Sequence, residues 1–213
     1  HDYGQRAIAA RLGTDLPHAG VARQWFRSPD VLALLPTDEP APGLGCALVW
    51  SWPVGRAQAL LALDDAAFEA ELMRATGGLG GALHLTSERA SWPLLLGRAD
   101  KVHGTSANGG WVLVGDAAHV IHPLAGQGLN LGLADVACLA KVIAERESWR
   151  PLGDERLLAR YARERAGPTQ AMAAMTDGLL RLFAHEAPWL KELRNRGMGL
   201  VNQAGPLKRW LVN

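Results

Sequence analysis

The sequence predicts an α+β chain: an antiparallel or mixed β-sheet comes first, a strand, Gly-Asp turn and helix follow, and α-helices close it. Three observations carry this. Short apolar runs separated by Pro, Gly and Asp clusters fill the first 110 residues. The stretch "GDAAHVIHPLAGQGLN" (115–130) follows "WVLV", a run that reads as a buried strand. Beyond Gly126 the apolar residues step by three and four, the helical period.

Taken in order, a polar–apolar alternation is already under way at Tyr3, and "VARQWFRS" (21–28), "CALVWSW" (46–52) and "AQALLAL" (57–63) read as strands. In the second of these Cys46, Leu48, Trp50 and Trp52 share one face, which calls for a core or a ligand. "DDAAFEAELMRA" (64–75) reads as a helix with Asp64 as N-cap and Phe68 and Leu72 on one side, and "GGLGG" (77–81) ends it. Further strands are expected within 83–96 and 111–115, and in the intervening "TSANGG" the Asn108-Gly109 pair reads as a hairpin turn. Leu129, Leu133, Val136, Ala140 and Ile143 then fall on one face of a helix. A second helix, 154–183, contains Pro168 and should kink there, because the ring removes an amide donor and crowds the preceding turn. A third runs from Pro188 to near Gln203, with proline in the tolerated first turn.

A length of 213 residues allows one large domain or two small ones. With 48% hydrophobic and 20% charged residues and a net charge of +1, composition argues against disorder and against a strong nucleic-acid field. Two cysteines, Cys46 and Cys138, are too few for a disulfide framework, and no leader-like segment opens the sequence, which together read as cytoplasmic. No apolar run approaches the roughly 20 residues of a membrane span. The opening "HDYGQRAIAARLG" lacks Met and is already alternating, so the chain reads as a piece of a longer protein.

A strand, a Gly-Asp pair and a Gly-rich turn that opens a helix offer a ligand free amides and a positive dipole end. Asp116 can accept from a sugar-like hydroxyl, and glycines allow close backbone approach. The dinucleotide fingerprint itself is absent: after Gly126 and Gly128 the next glycine is 132, where G-x-G-x-x-G needs 131, which is Leu131.

"GDAAHVIHPLAGQGLNLGLADV" resembles the second flavin-binding motif of the class A FAD-dependent aromatic monooxygenases, in particular the ubiquinone-biosynthesis hydroxylases. The similarity extends over "LVW" (48–50), "ERASWPL" (88–94), "TDGLLRLF" (176–183) and "LRNRGMGLVNQAGPLK" (194–208). It implies a substrate-domain sheet (1–110), part of an FAD-binding domain (111–145) and a C-terminal helical region (146–213). It also implies site roles. Asp116, beside Gly115, binds the ribityl chain of FAD, and Pro123 lies by the isoalloxazine where oxygen reacts, as the catalytic-site residue. The backbone of Ala125, Gly126, Gln127, Gly128, Leu129 and Asn130 contacts the flavin. The family's N-terminal G-x-G-x-x-G and its middle Asp-Gly motif do not occur here, so these residues hold part of a flavin site and are expected to be inactive alone.

The implied activity is hydroxylation of a phenolic or prenylated aromatic ring by FAD with NAD(P)H as co-substrate and O2. Alternatives are a hydroxylase of a soluble aromatic and a non-catalytic lipid-binding or assembly subunit. Trp50, Trp92 and Leu94 are candidates for the substrate wall, although aromatic residues on strands serve equally as core. His119 and His122 sit three apart with no evident third ligand, so packing or flavin-side contacts are favoured over a metal. No nucleophile elbow is present, which argues against a hydrolase. The stretch 189–213 sets five basic residues against one acid, Glu192, among Trp189, Trp210 and leucines. This suits a helix packed on its own domain or a peripheral contact with the inner face of a membrane. Self-association into a homo-oligomer is left open.

Overall fold

The computed structural model describes residues 1–121 and 127–184, with side chains to residue 178. Its organising element is β1 (Asp2–Thr14), a 13-residue strand. On one side β1 pairs antiparallel with β4 (Gly45–Pro53), which pairs with β3 (Val31–Thr37) and through it with β2 (Arg23–Phe26). On the other side β1 pairs with β5 (Leu83–Leu85) and β6 (Ala90–Leu95). The register sets Ile8 opposite Trp50 and Leu12 opposite Cys46. Strand residues alternate between faces, so one face of this sheet gathers Ile8, Leu12, Leu32, Leu34, Leu48 and Trp50.

Two helices cover that face. α1 (Val54–Leu61) contributes Ala57 and Leu60, and α2 (Asp65–Thr76) contributes Phe68 and Leu72, all fully buried. The Asp64 carboxylate accepts from the Ala67 amide at 2.8 Å, and Gly77 ends α2 in the left-handed conformation at φ 64°. Arg89 closes the edge of the core, its guanidinium 4.9 Å from the Phe68 ring and donating to the Leu63 carbonyl at 2.8 Å. The segment 57–63 is therefore helix for most of its length and not a strand. Its apolar run is too short to distinguish the periods, and the three-residue spacing of Ala57 and Leu60 matches a helix face. β3 has no counterpart in the sequence-based expectation. Its burial alternates through Leu32 and Leu34, but Pro36 and the flanking prolines mask the pattern.

After β6 the chain makes β7 (Gly97–Arg98) and a separate hairpin, β8 (His103–Ser106) with β9 (Gly109–Val112). Because Ser106 pairs with Gly109, the two-residue turn is Ala107-Asn108, one position earlier than the Asn-Gly reading. "WVLV" is only half-buried and Trp111 is exposed, since among the described residues this hairpin forms a two-stranded sheet of its own. Gly115–Ala117 form a short 3-10 turn, and β10 (His119–Val120) returns to pair with β7.

α3 (Gly128–Ala144) and α4 (Glu155–Ala184) pack together around Val142, Leu157 and Tyr161, with Val112 and Val114 against them. Leu129, Leu133 and Val136 share one face of α3 as their spacing predicts, but that face points outward, at 74%, 57% and 54% exposure. The buried face carries Leu131, Asp135 and Val142. α4 continues through Pro168 as one 30-residue helix. The expected third helix and the basic stretch 189–213 lie outside the described residues. Among the described residues no helix is long and apolar enough to cross a membrane.

Candidate active site

The Gly115–Asp116 turn sits where β9 has ended and α3 begins its pass. Gly115 adopts φ +57°, a left-handed conformation that favours glycine. α3 crosses so near that a Cβ on Gly132 would lie 3.4 Å from the Gly115 Cα. This packing opens a cleft of ≈ 630 Å³. It is lined by Gly115, Asp116, Val120 and Ile121, by Gly128, Leu129 and Gly132 at the start of α3, and by Trp92, Pro93 and Leu94 of β6.

The polar resources of the cleft follow from local structure. Asp116 is exposed. α3 has no side-chain cap, and the first-turn amides of an α-helix lack intrahelical acceptors, so Gly128, Leu129 and Asn130 present donors and the positive dipole end. A Cβ on Gly128 would meet nothing within 4 Å, so ligand can approach the backbone there. Beside them the Asn130 side-chain amide donates to the Gln127 Oε1 at 3.1 Å.

The cleft thus brings together Gly115, Asp116, Gly128 and Leu129 with Trp92 and Leu94, and Gln127 and Asn130 adjoin it. Pro123, Ala125, Gly126 and His122 lie outside the described residues. Trp50 does not belong to this group. It is 1% exposed in the core, 6.0 Å from the Phe68 ring, and its indole Nε1 donates to the Asp30 Oδ2 at 2.7 Å. The face it shares with Leu48 is the one covered by α1 and α2.

Behind the turn lies a polar cluster that the sequence reading missed. Asp135 of α3 is wholly buried. Its Oδ2 accepts from the Gly115 amide at 2.9 Å and bonds the His119 Nε2 at 2.7 Å, while Oδ1 accepts from the Arg165 Nε at 2.6 Å. Burial pushes the Asp135 carboxyl up, but the Arg165 guanidinium, the Gly115 amide and the His119 ring outweigh it and hold it below its ordinary value. Tyr161, one turn before Arg165, donates to the Leu113 carbonyl at 3.2 Å, and its hydroxyl is pushed up to about 12 by burial first and by Asp135 second. A signal existed in the sequence: Asp135 is the one acid within 128–144, and a charge on an apolar helix needs a partner if buried.

A protein-family profile described as FAD binding domain matches residues 46–176. The chain belongs to this family of FAD-binding domains. Within it, the similarity is to ubiquinone-biosynthesis hydroxylases. The chain is 39% identical over 209 residues to ubiquinone hydroxylase UbiL of Rhodospirillum rubrum, covering 97% of this chain and 47% of that protein. It is 36% identical over 87 residues to the mitochondrial ubiquinone biosynthesis monooxygenase COQ6 of Dictyostelium discoideum, covering 40% of this chain and 18% of that protein. Among solved structures, p-nitrophenol 4-monooxygenase PnpA of Pseudomonas putida superposes with a TM-score of 0.69 at 16% identity, covering 99% of this chain and 52% of that one. That last likeness speaks to fold. The chain spans about half the length of UbiL.

Proposed function

We propose that the chain supplies the substrate sheet and the flavin-facing turn of an FAD-dependent monooxygenase that uses NAD(P)H and O2 to hydroxylate a prenylated phenolic ring in ubiquinone biosynthesis. The observation that carries this reading is that one cleft of ≈ 630 Å³ is lined both by Asp116 and the α3 N-terminus and by Trp92 and Leu94. The division of labour follows: 1–110 for the substrate sheet, 111–145 for part of the FAD-binding domain, and 146–213 for a helical region.

The residues fit FAD. An exposed carboxylate suits ribityl hydroxyls, and uncapped helix amides suit the carbonyl edge of a flavin ring or a phosphate. When bound, FAD supplies the redox and oxygen chemistry that no side chain here can provide. The protein's share is positional. Asp116 would hold the hydroxyls, the amides of Gly128 to Asn130 would orient the ring, and Trp92, Pro93 and Leu94 would line the apolar side of the cleft. Pro123 shapes the oxygen side in the family's manner. The apolar wall favours a prenylated ring over a small phenol, and the basic stretch 189–213 supports peripheral contact with an anionic inner-membrane face, where such lipids reside.

A screen of the full-length protein for substrate-dependent NAD(P)H oxidation separates the readings. The expected result is a kcat/KM for prenylated phenols at least about tenfold above that for unprenylated phenols, lost in part in Trp92→Ala, since one well-buried apolar contact is worth roughly 1.4 kcal/mol. Equal use of both would favour a hydroxylase of soluble aromatics. Lipid binding without any NAD(P)H oxidation would favour the non-catalytic subunit.

A further inference from the structure

We propose that Asp135 is a positioning residue: its carboxylate pins both ends of the loop that carries Asp116, and so aims that side chain into the cleft. The inference rests on the reading of the cleft as the flavin site.

The geometry is specific. A single oxygen, Asp135 Oδ2, accepts from the Gly115 amide at 2.9 Å and bonds the His119 Nε2 at 2.7 Å. Those two contacts lie on either side of Asp116, one residue before it and three after. The Gly115 amide has no place in a strand ladder, since pairing of β9 ends at Val112. Without Asp135 it would be left without this acceptor at the point where the chain turns at φ +57°. The other oxygen is held by the Arg165 Nε at 2.6 Å, and Arg165 also reaches the Leu131 carbonyl with Nη2 at 3.4 Å. The carboxylate therefore cannot rotate away without breaking an ion pair to α4. Turn, β10, α3 and α4 all meet at this one group.

Packing alone does not explain such an arrangement. Replacing a buried ion pair by well-packed apolar residues of similar volume is often neutral or stabilising. What the charges provide here is direction: hydrogen bonds to a backbone amide and a ring nitrogen fix orientation, which apolar contact does not. At metal sites, partners that orient a ligating group commonly matter for affinity by about 10- to 100-fold, and the same logic of fixed orientation applies to Asp116.

The test compares FAD affinity and thermal unfolding in the full-length protein for wild type, Asp116→Ala, Asp135→Ala, Asp135→Asn and Leu157→Ala. Leu157 is fully buried between α3 and α4, so its truncation loosens the same helix pair with no polar contact to the turn. The expected result is that Asp135→Ala weakens FAD binding by about tenfold or more beyond Leu157→Ala at a comparable loss of Tm, on the scale seen when orienting partners are removed. Asp135→Asn, which keeps an acceptor for the Gly115 amide, falls between Asp135→Ala and wild type. If Asp135→Ala fails to fold, Asp135→Asn against Leu157→Ala makes the same comparison. FAD affinity that falls only in step with Tm in all three variants overturns the proposal. If Asp116→Ala weakens FAD while the Asp135 variants do not, positioning alone fails; if Asp116→Ala leaves FAD affinity unchanged, the flavin-site reading beneath it fails.

Discussion

Trp50→Ala should destabilise the protein by about 3–5 kcal/mol, the range for truncating a large buried aromatic. Trp50 sits at the middle of β4, opposite Ile8, with its ring 6.0 Å from Phe68 and 5.7 Å from Trp52. Removing it opens a cavity between the sheet and α2, and it takes the indole donor from Asp30, which is 4% exposed. Asp30 keeps a bond from the Arg27 Nη2 at 2.8 Å, so its charge is not stranded. Trp50→Phe keeps most of the ring and loses the donor, and it should cost less, about 1–3 kcal/mol. Urea unfolding of both variants checks the order. Because Trp50 lies in the core and away from the cleft, Trp50→Phe should leave KM for the aromatic substrate unchanged.

Asp116→Ala should weaken FAD binding of the full-length protein by roughly 5- to 150-fold, which corresponds to the about 1–3 kcal/mol of an unpaired polar group. The same substitution should change stability by no more than about 0.5 kcal/mol, because Asp116 is exposed and, among the described residues, no side-chain hydrogen bond ties it to the turn. The turn is held instead by Asp135, whose carboxyl lies below its ordinary value in the folded protein. A depressed carboxyl contributes stability that is complete above the unfolded-state value near 3.9 and is lost as pH falls through the lower folded value. Affinity titrations and unfolding curves for Asp116→Ala and wild type separate a ligand contact from a structural one.

How far the sequence could be read follows from the range of each interaction. α2 was legible because its cap, Asp64, and its buried pair, Phe68 and Leu72, are local signals. Gly115 is legible as a turn residue because its φ of +57° favours glycine at that very position. The segment 57–63 misled because an apolar run of seven residues satisfies both periods, and only the sheet beneath it decides that it lies as a helix. Cys46, Leu48 and Trp50 share one buried face, yet nothing local says whether α-helices or a ligand cover it. Leu129, Leu133 and Val136 show the converse: their helical stripe is real but exposed. Asp135 and Arg165 are 30 residues apart, and their pairing is a property of how α3 meets α4, which no spacing within either helix encodes.

The most direct measurement is isotopic. The full-length protein, loaded with FAD and supplied with NAD(P)H and a prenylated phenol under ¹⁸O2, should yield a ring-hydroxylated product that carries one ¹⁸O atom, with NAD(P)H consumed in step with product. Hydroxylated product without ¹⁸O, or NAD(P)H oxidation that yields only hydrogen peroxide with every phenol offered, would contradict the assignment.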